Sequence, residues 1–246
     1  MPSTSTLLLE REAGVLTLTL NRPDKLNAIH NPLAEALLDA LNAAATDPAV
    51  RAIRRRGNGR AFCAGRDVSA APTDKDLELV QAVSRAIVTH RCPVIAAVHG
   101  WTVGAGFEWM MNADTVFAAT DTRFKLPEAS LGVFVTGGLV ATLPAAVGPM
   151  RAKALMLLGE TFDAAQALAW GLVYRSVPAD ELDAVSLAVV KPDGFHALET
   201  RERMRQTGGG VLAAGEQHQG AGMDRGSDHG AMVARHDRGM DCQPWR

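Results

Sequence analysis

The chain is poor in cysteine, in tyrosine and in any excess of charge. Its three cysteines, Cys63, Cys92 and Cys242, are odd in number and far apart, which excludes a disulfide framework and offers none of the spacings of zinc ligands. Reduced thiols are expected, and no metal. A formal net charge of -2 over 246 residues gives no reason to expect nucleic acid or an anionic membrane as the main partner. No apolar run approaches the roughly 18 residues of a membrane span, and the opening MPSTSTLLLEREAG lacks the basic-then-apolar pattern of a secretory signal. A cytoplasmic location without membrane contact is the expectation. No serine stands in a G-x-S-x-G elbow, and no glycine run has the third glycine of G-x-G-x-x-G, so an esterase triad and nicotinamide binding lack support.

What is present is ample material for a core, with 47% apolar and 21% charged residues, the balance of a globular protein. Leu7 to Glu10 and Val15 to Leu20 read as strands joined by a turn over Arg11 to Gly14. A polar loop follows, Asn21 to Ile29. From Pro32 the apolar spacing predicts a helix, with Asn31 as its cap. Val50 to Arg56 should be a strand, although Arg54, Arg55 and Arg56 fit a buried one poorly. Asp74 to Arg91 is helical, with Leu77, Val80, Val83 and Ile87 on one face. Pro93 to Val98 reads as a buried strand, broken at Gly100 and again at Gly104-Ala105-Gly106 before a helix. Helices are expected at Leu139 to Val147, Arg151 to Leu158 and Ala164 to Trp170. Strands alternating with helices over about 180 residues indicate an α/β fold with much of its sheet parallel.

Two glycine-bearing turns, Ala64-Gly65 and Gly104-Ala105-Gly106, each follow a candidate strand. Both can present backbone N–H groups at one sheet edge, where two donors converging on a carbonyl oxygen form an oxyanion hole; ordinary tight turns have the same pattern. Glu108 sits among Phe107, Trp109, Met110 and Met111, a poor setting for a solvent-facing acid. A helix and a strand fit between it and Glu128, so the two carboxyls can return to one pocket. Paired there, they could not both ionise easily, and would offer an acid and a base near neutrality; two surface glutamates are the plainer alternative. Asp67 suits a cap or loop residue, and His90 and His99 suit structural histidines.

Several ordered motifs together resemble the crotonase superfamily, the enoyl-CoA hydratase/isomerase family, over roughly residues 7–185. They are Asn21-Arg22-Pro23 with Asn27-Ala28, Ala61 to Asp67, His99-Gly100 through Gly104-Ala105-Gly106-Phe107-Glu108, and Pro127-Glu128 with Leu131-Gly132. The resemblance implies a core built as a spiral of (ββα) repeats over residues 1–185, with 186–246 an atypical C-terminal region. It places oxyanion donors at the N–H groups of Ala64 and Ala105, where a glycine is usual at the second. The acids of a hydratase fall on Glu108 and Glu128. It also implies that an acyl-CoA thioester lies along Lys25, Leu26, Ala28, Gly65, Arg66, Asp67 and Gly104. No cofactor is needed, because CoA arrives with the substrate. The implied reaction is addition of water across a 2-enoyl-CoA double bond. A double-bond isomerase, hydrolase or lyase of the same family is the alternative, followed by a non-catalytic member. The family also implies a homotrimer or hexamer where the C-terminal region permits one.

From about Ser186 the sequence no longer looks like the family. Thr207 to Arg246 is rich in glycine, arginine and histidine without an apolar period and reads as loop or disorder. Out-of-frame translation of a GC-rich gene gives such a composition. On that hypothesis, protein from its native source has an intact mass different from that of this sequence, and an equal mass overturns the idea.

Overall fold

A computed structural model describes residues 5–69, 71, 73–190 and 201. Strands β1 (Leu7–Glu12) and β2 (Val15–Leu20) form an antiparallel hairpin. Its turn is only Ala13 and Gly14, both left-handed at φ 48° and 79°, the backbone that matches strand twist in a two-residue loop. Arg11 and Glu12 therefore belong to the strand and not to the turn. Helix α1 (Asn31–Thr46) buries Leu33, Leu37, Ala40, Leu41 and Ala44 along one stripe. It begins one residue earlier than expected: His30 is the cap residue, and its side chain makes no capping bond.

The chain then repeats one pattern three times. β3 (Ala52–Gly57) and β4 (Ala61–Cys63) precede α2 (Asp74–Val88); β5 (Val94–Val98) and β6 (Trp101–Val103) precede α3 (Ala105–Met111); β7 (Thr115–Ala119) and β8 (Arg123–Lys125) precede a 3-10 turn at Glu128–Leu131. After it come α4 (Leu139–Val147), α5 (Pro149–Leu158), β9 (Phe162–Asp163), α6 (Ala164–Ala169), β10 (Arg175–Val177) and α7 (Leu182–Ala188). The first strand of each pair joins a six-stranded sheet ordered β1-β2-β3-β5-β7-β10, and the second a four-stranded sheet ordered β4-β6-β8-β9. All pairings are parallel except β1 with β2 and β8 with β9. This is the expected α/β spiral of (ββα) units.

The larger core fills the space between the six-stranded sheet and α1, α2 and α3; a smaller one lies on the sheet's other face, against α7. On α2 the buried positions are Val80, Val83, Ser84 and Ile87. Leu77, expected on that face, is exposed. Among the described residues no helix is long and apolar enough to cross a membrane.

The three arginines of β3 are accommodated by the pleat, which sends alternate side chains to opposite faces. Arg54 and Arg56 point toward α7, where Arg54 bonds the backbone carbonyl of Asp183 at 3.1 Å and Arg56 meets the Asp183 carboxylate at 2.9 Å. Arg55 points the other way and donates to the carbonyl of Trp109, near the end of α3. Gly57 closes the strand at a point where any Cβ would lie 2.5 Å from the Ala61 carbonyl oxygen.

The core does not stop at residue 185. Helix α7 crosses that boundary, Val190 is buried, and Arg201 bonds both Asp114 carboxylate oxygens at 2.9 Å. The expectation for Thr207 to Arg246 lies outside the described residues. Because Asp183 neutralises two arginines, one of them buried, Asp183→Asn should lower unfolding stability by about 1–3 kcal/mol, less than a fully buried pair loses because Asp183 is half exposed. Urea denaturation of the two proteins measures the difference.

Candidate active site

The head of α3 is shaped by glycine. Gly104 caps it at φ 52°, ψ −125°, a backbone that residues with a side chain rarely adopt. A Cβ there would also lie 2.8 Å from Glu128 Oε1. Gly106 faces Cys63 so closely that a Cβ would fall 2.7 Å from the Cys63 Cβ. Phe107, Phe124 and Phe162 lock the helix from behind, with ring centroids 5.2–5.9 Å apart. Ala105 occupies the first helical position, where an N–H has no carbonyl of its own helix to meet.

Glu108 is 2% exposed. Its carboxylate accepts the N–H groups of Thr136, at 3.1 Å, and Gly137. One turn later, at the C-cap of the same helix, Asn112 donates to the Gly137 carbonyl at 3.1 Å, so α3 and its cap grip both polar groups of that residue. Burial pushes the Glu108 carboxyl up to about 7; the two N–H groups oppose this, and the neighbouring Glu128 adds to it. Glu128 is also buried, and burial raises its carboxyl above the ordinary value. Its Oε2 has no hydrogen-bond partner among the described residues. The fold thus brings the two acids into one another's field at the head of α3.

The other expected oxyanion donor stands differently. The Ala64 N–H donates to the Leu26 carbonyl at 2.9 Å, so it is committed to holding the Asn21–Ile29 loop. The next residues form a parallel bridge: Ile29 donates to the Gly65 carbonyl at 2.8 Å, and Asp67 donates to the Ile29 carbonyl at 2.7 Å. Strand alternation then turns the Arg66 N–H to the side away from Ile29. Gly65, at φ 87°, approaches α3 so closely that a Cβ would lie 2.8 Å from the Val103 carbonyl and 3.6 Å from the Ala105 nitrogen.

Lys25 is exposed on a short 3-10 turn, while Leu26 and Asn27 are both left-handed. The Asn27 side chain accepts from the Arg22 N–H and donates to the carbonyls of Asn58 and Ala61 at 2.7–2.9 Å. Ala28 is half-buried, and its carbonyl takes Arg22 Nη1. Asp67 is held down to about 2, first by the Ser69 hydroxyl and N–H and then by Arg22, whose Nη1 lies at 3.0 Å. That is the loop role expected of a short acid here. Arg66 reaches Asp76 at 3.7 Å. His90 is buried between the Leu41 carbonyl and the Cys92 backbone, and His99 bonds the Gly59 carbonyl. Burial raises the Cys63 thiol to about 12. Thr136, Gly137 and Asn112 escaped sequence reasoning, since two of them act through the backbone and carry no side-chain signature.

Residues 10–192 match the family described as enoyl-CoA hydratase/isomerase. The chain belongs to that family. It is 36% identical over 220 residues to the 2,3-dehydroadipyl-CoA hydratase of Escherichia coli K12, covering 86% of each chain. It is 34% identical over 186 residues to the 1,2-epoxyphenylacetyl-CoA isomerase of the same organism, covering 72% of this chain and 71% of the other. Among solved structures, an enoyl-CoA hydratase from Mycobacterium avium subsp. paratuberculosis aligns with a TM-score of 0.78 at 33% identity, over 89% of this chain and 93% of its own. A monofunctional enoyl-CoA isomerase from M. smegmatis aligns at 0.73 and 32%, over 87% and 99%. A match spanning 86% of 246 residues must run past residue 200, beyond the Ser186 boundary expected for the family likeness. The protein is therefore a crotonase-fold member of a family of acyl-CoA enzymes, with both hydratases and isomerases among its relatives.

The raised Glu108 carboxyl has a thermodynamic consequence. Its folded value, about 7, lies above its ordinary 4.5, so the folded chain keeps a proton that the unfolded chain releases between those two values. Stability therefore falls as pH rises through that window. The loss should reach about 3 kcal/mol by pH 8. Glu108→Gln should remove most of it, so that unfolding curves at pH 5 and pH 8 lie closer together for the variant than for the parent.

Proposed function

We propose that the protein is a 2-enoyl-CoA hydratase. The observation that carries this reading is the pair of buried carboxyls, Glu108 and Glu128, acting on one another at the head of α3. Addition of water to a conjugated thioester needs a group to take a proton from water and a group to deliver one to the α-carbon. A pair in one apolar pocket supplies both.

The surroundings support a division of labour. Glu108 receives two backbone N–H groups, which oppose the burial that raises its carboxyl to about 7, so a carboxylate is available near neutrality and in this reading takes the water's proton. Glu128 is buried, its Oε2 has no partner among the described residues and burial raises its carboxyl, and in this reading it protonates the α-carbon. The thioester oxygen, which gains charge as the enolate forms, sits on the Ala105 N–H. The other donor of the expected pair, the Ala64 N–H, bonds the Leu26 carbonyl, while the following Gly65 comes within 3.6 Å of the Ala105 nitrogen at its Cβ position, so the two turns face one point. Lys25, Leu26, Ala28, Gly65, Asp67 and Gly104 line the path of the CoA portion in this reading, with Asp67 shaping the loop through Arg22. The relative named for a dehydroadipyl-CoA substrate accords with hydration but does not fix the acyl chain here.

Purified protein should hydrate members of a panel of 2-enoyl-CoA thioesters, followed as loss of the conjugated-thioester absorbance. Glu108→Gln and Glu128→Gln should each lower kcat by about 10²–10⁴-fold with KM changed little. No turnover across the panel refutes the hydratase reading, and a near-normal rate in either variant removes that glutamate from it. Double-bond migration in place of hydration would assign the isomerase activity found elsewhere in the family.

A further inference from the structure

Ser84 is the one polar residue on the buried face of α2, and it is fully buried. Its hydroxyl has no hydrogen-bond partner among the described residues. A helical serine commonly satisfies itself on the carbonyl four residues earlier. Here that carbonyl, of Val80, takes the Trp109 indole N–H at 3.3 Å. The serine oxygen instead faces Gly137. A Cβ built on Gly137 would lie 2.6 Å from Ser84 Oγ and in collision with Glu108 Oε2. Both oxygens thus sit within 3 Å of one point, and therefore within about 6 Å of each other, a gap that rotation of Ser84 about χ1 can narrow.

We propose that Ser84 is a positioning residue for Glu108, its hydroxyl serving as the hydrogen-bond partner that can follow the carboxyl through both protonation states. The N–H groups of Thr136 and Gly137 only donate, so they hold the carboxylate but offer nothing to its protonated form. A hydroxyl donates to the carboxylate and, rotated, accepts from the acid. In the hydratase reading, on which this role in turnover rests, a water proton moves to Glu108. The new O–H then donates to Ser84 Oγ, and no bond to serine forms or breaks. Gly137 leaves room for both oxygens because it has no side chain.

Among the described residues the charged groups near Glu108 are few: from β3 the buried Arg55 donates to the carbonyl of the next residue, Trp109. Helix α4 has no ionisable residue, and α2 exposes Asp74, Lys75, Glu78 and Arg85 and holds its partly buried Asp76 at the first turn against Thr73 and Arg66. The strands β4 and β6 contribute only Cys63, and Glu128 is the charged group acting on Glu108.

The test uses the full chain with Ser84→Ala and Ser84→Thr. Carbon-13 NMR of glutamate-labelled protein follows the Glu108 carboxyl, assigned by its loss in Glu108→Gln, without recourse to turnover. A charge-assisted bond is the stronger of the two that the hydroxyl can make, so Ser84→Ala should raise the Glu108 titration midpoint by about 0.5–1 pH unit. It should also lower kcat for hydration by about tenfold with KM little changed, and Ser84→Thr should restore both in part. A midpoint that stays put or falls in Ser84→Ala overturns the proposal, whatever happens to the rate. A shifted midpoint in a protein that hydrates nothing supports the Ser84 to Glu108 coupling while refuting the hydratase reading.

Discussion

Keeping two carboxyls in an apolar interior is the constraint around which this molecule is arranged. A buried acid without donors is costly, and the chain meets that cost with backbone groups. Thr136 and Gly137 bring N–H groups to Glu108, Asn112 fixes the far side of Gly137, and the glycine at 104 makes space for Glu128. Each depends on a short strand or a turn set by the (ββα) spiral. The second, four-stranded sheet contains strands only two or three residues long, yet it sets the distance between the Ala64 to Asp67 turn, the head of α3 and the turn that carries Glu128.

The sequence revealed those parts that announce themselves by period or by glycine. The stripe of α1, the apolar run of β5 and the break at Gly104 were all readable, and so was the family, because several motifs occur in order. The strands β6 and β8 were not, since three residues cannot display an alternation. The family resemblance implies a donor role for the Ala64 N–H, and no sequence pattern foretells that this group bonds the Leu26 carbonyl, because backbone donors are allocated by three-dimensional pairing. The loop at Thr136-Gly137 was invisible as a site because its chemistry belongs to the main chain. Ser84 sat inside an apolar stripe, where a single serine reads as a tolerated small residue.

The C-terminal side shows the same limit of local reading. The family likeness faded near Ser186, yet Ser186 is fully buried and bonds Arg54, and Arg201 holds Asp114 beside the entrance to β7. These contacts join residues more than 80 positions apart, so nothing in a local window foretells them. The first of them ties α7 to β3 of the six-stranded sheet, and the second ties Arg201 to the residue just before β7.

The run Arg54-Arg55-Arg56 also bears on how the chain finds its register. A one-residue slip of a strand exchanges its two faces, and in most buried strands the penalty is an exposed apolar residue and a buried polar one. Three like residues in succession blunt that penalty, for a slipped β3 would still offer an arginine to α7 and another to the end of α3. Discrimination then falls to the ends of the strand. At the start, Ala52 fits the small core and Ile53 the large one; at the finish, only a residue without a side chain clears the carbonyls of Ala61 and Phe62. Gly57 is in this sense the index mark of the central sheet, the position that tells an otherwise ambiguous strand where to stop.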